Sequence, residues 1–278
     1  MINHVAIAAA AILVAGGASA QAVDLVSHTA LRVCADPNGL PFSNDRKEGF
    51  ENKIADIIGQ DLGVPVTYVW FPRIGAFVRQ TLQKRQCDLV IGTVAGDPEM
   101  DTTTSYYHSG YMVVSRADAG ITATSVGDPA FKDKKIGLIA ATPPTDLLVR
   151  HELMPQVTPY SLSVDSRFES PARQLVQDIV DHKIDVGLLW GPIAGYYISH
   201  EHLPLKTVFL EAEPDSARLD YRIAMGLRAG EPDWRRRINQ ALQRHQPEID
   251  GILAAYGIPL LDERNHAIAT EPTSGRQE

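Results

Sequence analysis

Apolar positions along this chain fall into two alternating patterns, short unbroken runs and runs spaced three or four residues apart. These are the marks of buried strands and amphipathic helices. Leu31 to Ala35 is a buried strand. Pro37, Asn38, Gly39 and Pro41 make the next residues a loop, and Gly49-Phe50-Glu51 leads into a helix with Ile54, Ile57, Ile58 and Leu62 on one face. Gly63 is the stop. Val64 to Trp70 is a second strand, ending in Phe71-Pro72. Ala76, Val78, Thr81 and Leu82 fit a short helix, and Cys87 to Gly92 is a third, wholly apolar strand after its Asp88. Three strands separated by two helices predict a right-handed βαβαβ unit with a parallel sheet. The loop after the first strand then lies at a carboxyl strand end, where open α/β sheets bind ligands.

The same grammar returns further on. Residues 105–114 form an aromatic entry into an extended crossing segment. Strands are predicted at Ile136 to Ala140, Val157 to Tyr160 and Ile184 to Trp190, with helices from Asp146 to Leu153 and Pro171 to His182. Gly191-Pro192 reads as the end of the last of these strands, facing a cleft. Arg222 to Leu227 is a return strand, followed by a helix carrying Trp234, Ile238, Ala241 and Leu242 on one face. Pro247 is expected to end or kink that helix, with Ile249, Ile252 and Leu253 in a second one. The reading is one of two α/β lobes joined by two segments. Residues 28–113 with 222–262 form the first lobe, 114–221 the second, and 263–278 a loose tail.

Composition narrows the function. The 278 residues are 44% hydrophobic and 22% charged, enough for two cores. A formal net charge of −8 argues against nucleic acid, which demands clustered Lys and Arg. Arg235-Arg236-Arg237 reads as a solvated helix face. Val5 to Gly17 followed by Ala18-Ser19-Ala20 has the form of an export signal, residues 1–20, although no Lys or Arg precedes it. No Cys follows that run, and no later stretch approaches the ~20 apolar residues of a membrane span. A periplasmic protein without a membrane anchor is expected. In that compartment Cys34 and Cys87 are candidates for pairing. On adjacent parallel strands, however, they are offset by ~10 Å, which favours two buried thiols. Asp97, Glu99 and Asp101 alternate like half a calcium loop, but Thr102 and His108 stand where its Gly and Glu belong. His200-Glu201-His202 has no third partner and reads as a surface turn.

Over residues 28 to 262 the chain resembles the periplasmic solute-binding proteins of amino-acid importers. The first strand and loop, Gly49-Phe50-Glu51, Cys87-Asp88-Leu89-Val90-Ile91-Gly92, the double Tyr106-Tyr107 and the return strand with its terminal helices carry the likeness. It implies the type II periplasmic binding protein fold, α/β, with two βαβ lobes, a two-segment hinge and a ligand between the lobes. In that family an Arg after the third strand forks onto the ligand carboxylate. Here the matching run is Asp97-Pro98-Glu99-Met100, and a thioether cannot make that bond. The amine-binding Asp of the second lobe falls at Trp190-Gly191. An α-amino acid is therefore not the expected ligand.

A narrower resemblance is to the quinoprotein dehydrogenase-associated branch, the MxaJ/XoxJ type of methanol oxidation systems. Leu31 through Asn44, Gly49 through Ala55, Val69-Trp70-Phe71-Pro72, Phe77 through Leu82 and Arg85-Gln86-Cys87-Asp88 carry it. It implies a periplasmic partner of a pyrroloquinoline-quinone (PQQ) methanol dehydrogenase, calcium- or lanthanide-dependent. The partner is its large subunit, with or without its cytochrome c, and the role is activation or maturation. The cleft residues expected to serve a ligand or partner are Asp36, Phe42, Glu51, Trp70, Phe71, Thr93, Met100, Tyr106, Tyr107, Thr142, Trp190 and Gly191. No catalytic residue, metal ligand or cofactor site is expected. The competing reading is an ABC-importer receptor for a small ligand other than an amino acid. An enzyme on this scaffold needs a cleft acid together with a carboxylate-binding Arg, and the sequence supplies only acids: Asp36, Glu51 and Asp185.

Overall fold

The computed structural model describes residues 26–268. The expected signal peptide and the end of the tail, residues 269–278, lie outside them.

The first βαβαβ unit runs β1 (Leu31–Ala35), a small hairpin β2 (Asn38–Gly39) and β3 (Ser43–Asn44), α1 (Phe50–Leu62), β4 (Val66–Trp70), α2 (Phe77–Gln80) and β5 (Leu89–Val94). β1 pairs in parallel with β4 on one side and β5 on the other. The short β6 (Asp101–Thr102) precedes β7 (Tyr107–Arg116), the crossing strand. The second unit contains β8 (Ile136–Ile139), α3 (Pro144–Arg150), β9 (Val157–Tyr160), α4 (Pro171–Val180), β10 (Val186–Trp190), α5 (Gly191–His200) and β11 (Leu205–Phe209). The return strand is β12 (Asp220–Leu227), then α6 (Pro232–Ala255) and a terminal hairpin of β13 (Leu260–Leu261) and β14 (Ala267–Ile268).

The strand order is β4-β1-β5-β12-β7-β10-β8-β9. Two of these strands serve both halves. β12 pairs through Ile223–Gly226 with β5 and through Asp220–Ile223 with the start of β7, whose other half, Tyr111–Ser115, pairs with β10. They are the two segments joining the lobes. Each lobe has its own core: Phe50, Ile54, Ile58, Leu89, Trp234, Ile238 and Leu253 in the first, and Val113, Phe131, Ile136, Leu147 and Leu188 in the second.

The first lobe is closed by a buried charge cluster. Asp88 at the head of β5 accepts from Arg32 Nε at 2.7 Å and Nη2 at 2.6 Å, and from Arg228 Nη2 at 2.9 Å. Trp234 Nε1 donates to the Asp88 carbonyl at 3.0 Å, which fixes α6 to the first strands. With three charge-assisted bonds at short range, the carboxylate is compensated for its burial.

Four expectations change. First, Cys34 and Cys87 form a disulfide with Cα atoms 5.6 Å apart. The ~10 Å offset assumed two straight strands, but β5 begins only at Leu89 and the chain bends at Asp88, just before it. Second, α6 runs unbroken through Pro247. Its apolar face continues through Ile249 and Leu253 into the same core, and that packing outweighs one missing N–H bond. Third, Gly191-Pro192 follows the end of β10 as expected, but instead of facing the cleft it starts α5 and Gly191 packs on β7; a Pro in the first turn gives up only an N–H that has no helical partner. Fourth, the tail expected to be loose from residue 263 stays ordered through the β13–β14 hairpin, where Asp262 accepts from the N–H groups of Arg264 and His266.

Candidate functional site

Between the lobes lies a cleft of about 610 Å³. The first-lobe wall is built from the β1–α1 loop and the ends of β4 and β5, and it presents Phe42, Glu51, Arg73, Thr93, Val94 and Asp97. The second-lobe wall presents Ile139, Thr142, Pro143, Leu162, Leu189, Trp190 and Ile193. The hinge strands add Tyr107, Tyr111, Tyr221 and Ile223. Trp190 connects the aromatic residues, with ring centroids 5.5 Å from Tyr111 and 6.0 Å from Tyr221. Such a mostly apolar cleft with a few convergent polar groups is the usual form of a small-molecule site.

Those polar groups are divided unequally. Every charged residue lining the cleft belongs to the first lobe. Glu51 sits in the first turn of α1, is only 6% exposed, and has an Oε1 without a hydrogen-bond partner. Burial pushes its carboxyl up from an ordinary 4.5 to about 7; Arg73 opposes the shift and Asp36 adds to it. A neutral acid therefore coexists with its carboxylate near pH 7. Gly92 on β5 makes room for it, since a Cβ there would stand 1.8 Å from Glu51 Oε1. Gly92→Ala is expected to force that side chain out of place and cost about 2 kcal/mol by urea unfolding.

Asp36, at the end of β1, holds the cleft mouth together. It accepts from the backbone N–H of Asn38 at 2.8 Å and of Arg73 at 2.7 Å, and from the Ser166 hydroxyl at 2.6 Å. Asn38 Nδ2 in turn donates to the Ser166 carbonyl at 2.6 Å. Ser166 belongs to the 161–170 loop of the second lobe, so these bonds bridge the lobes across the mouth. Among the described residues no three His, Cys, Asp or Glu side chains converge as metal ligands.

The model of the family "Bacterial extracellular solute-binding proteins, family 3" matches residues 31–257. The chain belongs to that family. Among solved structures it is similar to the periplasmic binding protein XoxJ from Methylobacterium extorquens AM1, 37% identical with a TM-score of 0.72, covering 84% of this chain and 100% of that one. It is also similar to MxaJ from Methlophaga aminisulfidivorans MPT, at 29% identity and a TM-score of 0.71, over 83% of this chain and 100% of that one. Protein MoxJ of Paracoccus denitrificans is 28% identical over 264 residues, 88% of this chain and 96% of the relative. The chain is thus a type II periplasmic binding protein of the MxaJ/XoxJ type, a binding rather than a catalytic fold.

The structure distributes the twelve residues singled out in the sequence unevenly. Phe42, Glu51, Thr93, Tyr107, Thr142 and Trp190 line the cleft together. Asp36 lies beside it, in the small cavity under the β1–α1 loop. Trp70 stacks on Tyr68 at 4.5 Å on the edge strand β4, and Phe71 packs toward Phe77. Met100 packs against the disulfide cluster, its sulfur filling the space above Gly226. Tyr106 is in the first-lobe core, donating to the Ile91 carbonyl. Gly191 packs on the hinge strand, where a Cβ would stand 2.7 Å from the Gly110 carbonyl oxygen. Sequence reasoning missed Arg73, Asp97, Tyr111 and Tyr221. Arg73 follows the Trp70-Phe71-Pro72 run directly, so the motif stopped one residue short of it.

Proposed function

We propose that this protein is a non-enzymatic periplasmic component of a methanol oxidation system, exported by removal of residues 1–20. In this reading it associates with the large subunit of a PQQ-dependent, calcium- or lanthanide-dependent methanol dehydrogenase, alone or with its cytochrome c, and helps to activate or mature it. Similarity across the full length of XoxJ, at 37% identity, carries the proposal. The rim of the cleft supports it. Phe168 is 81% exposed and Leu162 56% exposed on the 161–170 loop, with Ile74 and Val94 open on the facing lobe. Large apolar side chains exposed from both lobes around one mouth suit a protein segment better than they suit water.

The test is copurification from periplasm. Tagged protein is expected to retain the dehydrogenase, and Leu162→Asp with Phe168→Asp is expected to reduce retention by at least about tenfold while leaving the thermal midpoint unchanged. Full dehydrogenase activity in a strain lacking this protein would remove the basis for the reading. A second reading, a receptor for a small ligand other than an amino acid, is favoured by one specific observation, the polar floor of the cleft beneath that rim.

A further inference from the structure

The cleft floor carries a cation and a carboxyl that the fold itself does not use up. Among the described residues the Arg73 guanidinium makes one hydrogen bond, Nη2 to the Gly92 carbonyl, and no ion pair; it lies over the Phe77 ring at 5.5 Å. The residue is exposed, and its Nε and Nη1 donors have no partner among the described residues. Glu51 shares this wall, buried and with Oε1 unpartnered. Asp97, the other acid lining the cleft, is already engaged, accepting from the Thr93 hydroxyl at 3.0 Å and from the Glu99 N–H at 2.8 Å. Asp36 is likewise engaged, by three donors.

Among the described residues the opposing wall holds no charge. Its one hydroxyl, on Thr142, donates to the Ile139 carbonyl at 2.6 Å. A ligand amine would meet only Trp190, Leu189 and their apolar neighbours there, and would lose its hydration without compensation. An anion on the first-lobe floor meets the reverse situation: a guanidinium with open donors and a carboxyl hydrogen.

We propose that the cleft floor binds the carboxylate of a small apolar organic acid lacking an amino group, with Arg73 as its charge partner and Glu51 as a hydrogen-bonding partner. The Arg that amino-acid receptors carry after the third strand is Met100 here, packed away from the cleft. Arg73 reaches the cleft from a different loop, after β4. The body of the acid lies against Trp190, Leu189 and Ile193 in a volume that admits a ring or a branched chain. Phosphates and dicarboxylates are disfavoured, because Asp36 and Asp97 flank a single unpaired cation. This site is the floor of the cleft, whereas the proposed dehydrogenase contact is its rim, so either assignment can fail without the other.

Isothermal titration of the purified protein with benzoate and cyclohexanecarboxylate tests it, with benzyl alcohol and benzylamine as uncharged and cationic comparisons. At pH 6 either acid is expected to bind at least about tenfold more tightly than the alcohol or the amine, and Arg73→Met to remove that preference. The groups facing Glu51 are Arg73, Asp36, Tyr68, Tyr106 and Tyr107. With its carboxyl losing a proton near 7, acid binding is expected to weaken by about tenfold from pH 6 to pH 8. Glu51→Gln, which keeps a donor at every pH, is expected to bind equally at both. A merely structural Glu51 would not move that pH profile. No heat with either acid, acids bound no better than benzyl alcohol, or a preference that survives Arg73→Met each overturn the proposal.

Discussion

Loss of the Cys34–Cys87 bridge, by paired Cys34→Ser and Cys87→Ser substitution, is expected to lower stability by about 4 kcal/mol. The bridge closes a loop of 53 residues, and restricting an unfolded chain over that length is worth about this much by the loop-entropy relation. The loop contains α1, β4 and α2, and the bridge is packed among Phe77, Val78, Leu82 and Val90. Two hydroxyls in that cluster add a burial cost of the same sign. Urea unfolding of the oxidised protein, the reduced protein and the double variant measures the effect. Reduction and substitution should shift the first-lobe transition together. A shift below about 1 kcal/mol would mean that the packing around the bridge, not the bridge, holds β1 and the ligand loop in place.

Glu51→Gln is expected to stabilise the protein at pH 8 by up to about 3 kcal/mol and to leave it unchanged near pH 4. The carboxyl is held near 7 when folded against 4.5 ordinarily, and each unit is worth about 1.4 kcal/mol. The direction follows from proton binding. Between these two values the folded state keeps a proton that the unfolded state has lost, so stability falls as pH rises through the window and levels off above it. Gln removes that slope while keeping the shape. Denaturation profiles of both proteins at pH 4, 6 and 8 decide the matter, and parallel profiles would show that Glu51 ionises in the fold at no cost. The cost is borne at the proposed acid-binding site, where a buried acid with an unpartnered oxygen has a use.

What the sequence determined by itself was the alternation of strands and helices and hence the two α/β lobes. β10 is an unbroken apolar run, β1 and β5 are nearly so (interrupted by Arg32 and Thr93), and α1 and α4 show their period, so local chemistry sufficed there. It also brought out six of the residues lining the cleft, because a ligand loop at a strand end is a consequence of that alternation. α5 and β11 escaped, the first because Gly191-Pro192 punctuates a loop as readily as it starts a helix, the second because a five-residue strand on β7 has no period of its own. Only tertiary structure decided the rest. Whether Cys34 meets Cys87 depends on a bend before β5 that apolar spacing does not encode. Pro247 is tolerated because a core beneath α6 spans both sides of it. Asp36 and Ser166, 130 residues apart, become one lobe-to-lobe bridge only when the hinge strands bring the two loops to one mouth. Arg73 stays an exposed loop residue, and only the fold sets it beside the buried Glu51. A side chain's partners across a cleft are fixed by where the lobes meet, and that is a property of the packed chain rather than of any stretch of it.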